Sequence, residues 1–237
     1  MTYRYPALAR TAAWILLLAA PAISRADVVF TNFGAASSYD LSNTNVVGNG
    51  FDGNNYAEGD TFTATTNGIF GSLDIALSCI FACSDSFTVS LDASNAGMPG
   101  AVIESFAVSG ASLGVLGNNN APLVFDSVLN PLLTAGTQYW VTVSSDLNDS
   151  IGWNWNTTGD TSSEALSGDG GATWFAPSGL TPGAFQVNSV VPEPGPLLPI
   201  ITLLLLFALA KSAALLRNRY SRLNCPSHTV SGRQPLS

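Results

Sequence analysis

Tyr139-Trp140-Val141-Thr142-Val143 is the stretch that decides the fold. An extended chain points successive side chains to opposite faces. Tyr139, Val141 and Val143 therefore share one face, and Trp140 and Thr142 the other. Branched and aromatic residues at this period form strands. The pattern recurs outward in both directions. Phe87, Val89 and Leu91 stand opposite Thr88 and Ser90, and Leu73, Ile75 and Leu77 share a face. Phe62, Ala64 and Thr66 alternate with threonines, Ile151, Trp153 and Trp155 with Gly152 and Asn154, and Phe185 and Val187 close the series. Gly, Asn, Asp and Ser clusters separate these runs, and no amphipathic helical period appears among them. The reading predicts an all-β domain over residues 27–190, a β-sandwich or jelly roll of about nine or ten strands. Such a length buries a sizeable core without extra cross-links.

Three turns punctuate this domain. Asp92 to Gly100 reads as a long polar turn between strands. Leu133 to Trp140 reads as a turn feeding an aromatic strand, and Ser167 to Trp174 as a third turn.

Charge then limits the chemistry. The chain has 237 residues, a formal net charge of −8 and only 10% charged residues. Its eight basic residues are Arg4, Arg10, Arg25, Lys211, Arg217, Arg219, Arg222 and Arg233, and its one histidine is His228. Residues 27–190 hold no Lys, Arg or His, against 15 carboxylates. Nucleophiles activated by histidine, lysine Schiff bases, arginine phosphate clamps and His-ligated zinc are excluded from that stretch. Nucleic-acid binding is excluded too, since it needs a basic face. Carboxylate acid/base work, hard-cation binding through oxygen, or no catalysis remain.

Both ends are apolar. Arg4 and Arg10 precede a short apolar run, Ala12 to Ala20, which Pro21 closes. Ser24-Arg25-Ala26 supplies small residues for cleavage before Asp27, so residues 1–26 read as a secretory signal peptide. The apolar run is too short to cross ~30 Å of hydrocarbon. Residues 197–216 form a second apolar segment, long enough to span a bilayer if Lys211 snorkels. Arg217, Arg219 and Arg222 follow at once, which places the C-terminal side in the cytoplasm and the domain outside. Before the segment, Val191-Pro192-Glu193-Pro194-Gly195-Pro196 forms a stiff, extended spacer that a processing enzyme can bind.

Pro192-Glu193-Pro194, the apolar segment and the arginine cluster, in that order, resemble the PEP-CTERM sorting signal of Gram-negative bacteria. The resemblance covers residues 191–222, with 223–237 as a short tail. It implies that an exosortase, a membrane cysteine transpeptidase, recognises Val191, Pro192, Glu193 and Pro194. It also implies an inner-membrane anchored form, then release to the cell surface or matrix, and an association with exopolysaccharide and biofilm. The three turns above, with Trp153 and Trp155 between the last two, are similar to choice-of-anchor domains of the R type. That family has no defined activity, so this likeness implies surface display and no more.

Five features remain as candidate chemistry. Ser167-x-Asp169-x-Gly171-x-Thr173-Trp174 matches an Asp-box, which sialidase propellers repeat once per blade. Here it occurs once, so it is expected to be structural, with Asp169 bonding backbone amides over Trp174. Cys79 and Cys83 are expected to pair in an oxidising compartment, and Cys225 lies beyond the apolar segment. Asp52, Asn54, Glu58 and Asp60 form an oxygen-rich loop that is a candidate calcium site, with Asn55 beside them, and Asp146, Asn148 and Asp149 form a second. Neither has the EF-hand spacing, no other cofactor is implied, and solvated turns are the default. Trp140, Trp153, Trp155 and Trp174 offer rings for stacking on sugars, although Trp153 and Trp155 share a face with Ile151, which favours burial. A carboxylate glycosidase would draw on Glu58, Glu104 and Glu164, the only Glu of the domain, none of them in a motif. The expectation is a non-enzymatic surface protein, with a carbohydrate-binding module and a glycosidase as the alternatives.

Overall fold

In the computed structural model the described residues are 27–49, 52–146, 148–190, 204–206 and 209–212. The chain divides into two units: Ser24–Val191, and Met1–Ile23 together with Pro192–Ser237. The signal peptide, the residues 191–194 expected to be processed, Arg217, Arg219, Arg222 and Cys225 lie outside the described residues. Within the expected span, residues 204–206 and 209–212 are α-helical. No helix among the described residues is long and apolar enough to cross a membrane.

The first unit is all β. Its strands are β1 (Asp27–Thr31), β2 (Thr44–Asn49), β3 (Asn55–Thr63), β4 (Gly68–Ile75), β5 (Leu77–Phe81), β6 (Ser86–Asn95) and β7 (Met98–Ser109). The series continues with β8 (Leu123–Asp126), β9 (Leu132–Leu133), β10 (Gln138–Ser144), β11 (Ser150–Asn154), β12 (Glu164–Ser167) and β13 (Phe185–Val190). One sheet runs β1-β13-β4-β8, with β9 also on β4; the other runs β5-β11-β2-β3-β10-β6-β7, with β12 on β3. All strand pairings are antiparallel.

The core lies between the two sheets, on the faces the alternation marks. Tyr139, Val141 and Val143 are buried beside Phe62, Phe87, Val89 and Leu91; Phe70, Leu73, Phe185 and Val187 meet them from the other sheet. The Phe62 ring packs 5.5 Å from Tyr139 and 6.1 Å from Phe185, which joins the two layers. Offset and edge-on contacts at such distances favour aromatic pairs.

Two sequence expectations change in detail. Leu73, Ile75 and Leu77 do not lie on one strand: β4 ends at Ile75, β5 begins at Leu77, and the two belong to different sheets. Alternation survives because both inner faces meet the same core. Asp92 to Gly100 is not a long polar turn. Asn95 pairs with Met98, and Ala96 (φ 50°) and Gly97 (φ 80°) make a two-residue hairpin loop. Two successive positive φ values match the right-handed twist of the strands they join.

Candidate functional site: a buried carboxylate cluster

β3 carries Glu58, Asp60 and Phe62 on one face. β10 flanks it with Val143 opposite Glu58, Val141 opposite Asp60 and Tyr139 opposite Phe62. All four of these neighbours, Phe62, Tyr139, Val141 and Val143, belong to the apolar core. Glu58 and Asp60 therefore point inward, and both are 0% exposed. On the other side β12 pairs in a register that sets Glu164 against Asp60 and Leu166 against Glu58. One oxygen from each of Glu58, Asp60 and Glu164 lies within 4.8 Å of the others. Like charges set directly opposite across strands repel, and no Lys, Arg or His exists in residues 27–190 to balance them.

Neighbouring segments hold one oxygen each of Glu58 and Asp60. Asn45 of β2 donates its Nδ2 to Glu58 Oε1 and to the carbonyl of Thr181 (3.1 Å), and its Oδ1 accepts from Trp155 Nε1 (2.7 Å). The Gly183 amide donates to Asp60 Oδ2 (2.7 Å). Asn32 braces this cover: its Nδ2 donates to the Gly183 carbonyl (2.9 Å) and its Oδ1 accepts from the Phe185 amide (2.7 Å). Only glycine fits at 183, since a Cβ there would stand 2.3 Å from the buried Trp153 indole. Glu58 Oε2, Asp60 Oδ1 and Glu164 Oε1 are buried and take no hydrogen bond.

Burial pushes the Glu58 carboxyl well above its ordinary range, the Asp60 charge adds to the rise, and the Asn45 amide opposes it. Burial likewise raises Asp60, followed by the Glu164 charge, against the Gly183 amide. Glu164 is pushed up to about 7, mainly by burial, with the Asn45 amide pulling the other way. It is 8% exposed, the least buried of the three.

The Asp-box stretch holds β12 in place. Ser167 Oγ donates to Asp169 Oδ1 (2.7 Å) and accepts from the Gly171 amide (2.7 Å). Asp169 also accepts from the Thr173 amide (2.8 Å) and hydroxyl (2.7 Å), and the Ser167 hydroxyl first, then these two, hold its carboxyl down at about 2. The same turn clips onto the start of β3, where Asn55 N donates to Gly168 O (3.1 Å) and Gly170 N to Asn55 O (2.7 Å).

The oxygen-rich loop read from sequence comes apart in space. Asp52 stays in an exposed turn, where it accepts from the Asn54 amide (3.0 Å), the Asn54 side chain (2.9 Å) and the Tyr56 hydroxyl (2.8 Å). Glu58 and Asp60 enter β3 and join Glu164 and Asn45 instead. The second loop is also claimed locally. Asp146 accepts from the Asn148 amide (2.9 Å), and the buried Asp149 accepts from the amides of Ser84 (2.9 Å) and Asp85 (3.1 Å). Trp140 and Trp153 are 0% exposed, so neither presents a ring to a sugar; Trp155 and Trp174 are partly exposed. Glu104 lies on β7, where its carboxylate accepts from Ser127 Oγ (2.6 Å) and from the Val128 (2.6 Å) and Leu129 (3.0 Å) amides. A glycosidase sets its two carboxyl groups about 5–9.5 Å apart beside a cleft. Glu58 and Asp60 are fully buried and Glu164 is 8% exposed. Cys79 and Cys83 stand at disulfide distance, with Cα atoms 5.7 Å apart.

Sequence reading missed Glu164 and Asn45 as partners of Glu58 and Asp60. The available signal was the near absence of Glu: three in 164 residues, two of them now in one buried cluster. No family model matches the chain, and no curated protein matches it.

Proposed function

We propose that the chain is an exported surface or matrix protein, displayed by a β-sandwich body and handed over by an exosortase-type peptidase. In this reading the leader 1–26 directs export. The apolar segment 197–216, closed by Arg217, Arg219 and Arg222, holds the precursor in the inner membrane. Val191, Pro192, Glu193 and Pro194 are the recognition residues, and the β domain is a non-enzymatic body associated with exopolysaccharide. The observation that carries the reading is the pairing of the body's first and last strands. β1 holds Asp27, the residue expected to follow leader cleavage, and β13 holds Val190, the last residue before those expected to be processed. Asp27 pairs with Ser189, so both cuts fall just outside one pair of strands and would leave the sandwich whole. The Cys79–Cys83 pair suits an oxidising compartment.

Mass spectrometry of the surface-exposed protein tests this. The expected mature form lacks residues 1–26 and everything beyond the proline junction, and Glu193→Ala accumulates as the uncut membrane form. Recovery of the full-length chain from the cytosol, with both apolar ends retained, would overturn the reading.

A further inference from the structure

We infer that Glu58, Asp60 and Glu164 form a binding site for one hard divalent cation, calcium foremost, buried between β3 and β12 and beneath residues 181–184. Two independent observations point there. The first is the convergence of three carboxylates, one oxygen from each within 4.8 Å of the others, in a domain that has no cationic side chain. An ion held at about 2.3–2.6 Å from its oxygens spans opposite ligands at about that separation. The second is the state of the individual oxygens. Glu58 and Asp60 are 0% exposed, yet Glu58 Oε2 and Asp60 Oδ1 have no hydrogen-bond partner, and neither has Glu164 Oε1. Such orphaned buried acceptors are costly unless a ligand satisfies them.

The opposite oxygens are tied down. Asn45 holds Glu58 Oε1 and the Gly183 amide holds Asp60 Oδ2. A protein orients metal-ligating carboxylates in this way, holding one oxygen by a hydrogen bond and leaving the other without one. Asn45 and Gly183 are thus positioning residues, and the three carboxylates are the ligands.

The donor set selects the ion. Every donor is oxygen, and Cys79 and Cys83 are paired with each other, so soft metals have nothing to bind here. Magnesium keeps several waters and demands near-octahedral geometry, whereas calcium tolerates irregular, partly bidentate carboxylate shells. A buried site suits calcium. One dication offsets two of the three carboxylate charges and links the β3 and β12 ligands directly. Asn45 and Gly183 extend the link to β2 and the 181–184 segment. Glu164, 8% exposed, is the side from which an ion enters.

The test uses the full chain, solubilised in detergent, stripped with EDTA and titrated with calcium, magnesium or manganese chloride. Terbium is a parallel probe, since Trp155 donates to the same Asn45 that holds Glu58 and should sensitise its luminescence. The expected results are one calcium per chain, weaker binding of magnesium, an EDTA-reversible rise in melting temperature and a terbium signal that calcium displaces. Glu164→Gln is the variant of choice, because a neutral side chain at the cluster's edge relieves repulsion and leaves the fold standing. It should weaken calcium binding at least tenfold, whereas Asp52→Asn, in the exposed turn, should leave it unchanged. The inference is overturned if the folded chain melts identically in EDTA and calcium with no terbium signal. It is equally overturned if Asp52→Asn abolishes binding while Glu164→Gln retains it. In the first case the cluster is balanced by protons alone.

Discussion

At the scale of single residues, this protein places acids where no base can answer them. Asp92 on β6 shows the consequence most simply. It is 3% exposed and accepts one hydrogen bond, from Thr142 Oγ1 at 2.8 Å. Burial pushes its carboxyl up to about 6, and the Thr142 hydroxyl only partly offsets this. The folded chain thus keeps a proton that the unfolded chain releases near pH 4. Stability from this residue is intact below that point and is lost as pH rises toward 6. Asp92→Asn mimics the protonated form. It should gain about 2 kcal/mol at pH 7.5, allowing for solvent screening, and nothing at pH 4. Urea titrations at the two pH values check this, and an equal gain at both would refute the assignment. Gly183→Ala probes the cover of the cluster. Its methyl would meet the buried Trp153 indole at 2.3 Å. A loss of about 1–3 kcal/mol is expected, typical of overpacking in a rigid core. At this scale the sequence was half legible. Glu58 and Asp60 stood out as oxygen donors, but adjacency along the chain joined them to Asp52 and Asn54. Their real partner, Glu164, arrives on β12, and only the strand register reveals that.

At the scale of elements, legibility followed side-chain alternation. Strands β10, β6 and β11 were readable because each puts branched or aromatic residues on the core face at period two. β7 and β12 were not. β7 is mostly exposed or half-buried, so selection for an apolar inner row is weak, and β12 is four residues long. The corner at Ala76 was hidden for the opposite reason, since alternation ran through it unbroken. Two connections hold these elements together. Asp149 takes the amides of Ser84 and Asp85 between β5 and β6. Asp149→Ala would remove the charged acceptor of two amides in the exposed 84–85 segment at a cost of about 2 kcal/mol, measurable by chemical denaturation. Cys79 and Cys83 close a short loop at the end of β5. Replacing both with Ser should lower stability by about 2 kcal/mol and abolish any response of the melting temperature to reductant.

At the scale of the whole molecule, the sandwich shows how an acidic chain folds without ion pairs. Aromatic and branched residues supply the core, and many carboxylate oxygens are met by backbone amides and by Ser, Thr and Asn side chains, with Glu58 Oε2, Asp60 Oδ1, Asp92 Oδ1 and Glu164 Oε1 as exceptions. The composition made this economy visible in advance: many Asn, Ser and Thr, few charges, no base in the domain. What it could not show was that two of three Glu residues would converge, because convergence depends on which strands become neighbours.

β13 has a mechanical meaning. It runs from Phe185 to Val190 and is sandwiched in its sheet between β1 and β4. A pull on the C-terminal end of β13 would run lengthwise along its six residues, be shared with both flanking strands, and arrive at Gly183, moored by its amide to Asp60. The load path from the end of β13 to the interior therefore ends at the acidic cluster. Whatever stiffens or loosens that mooring would set how firmly the body resists a pull on its last strand.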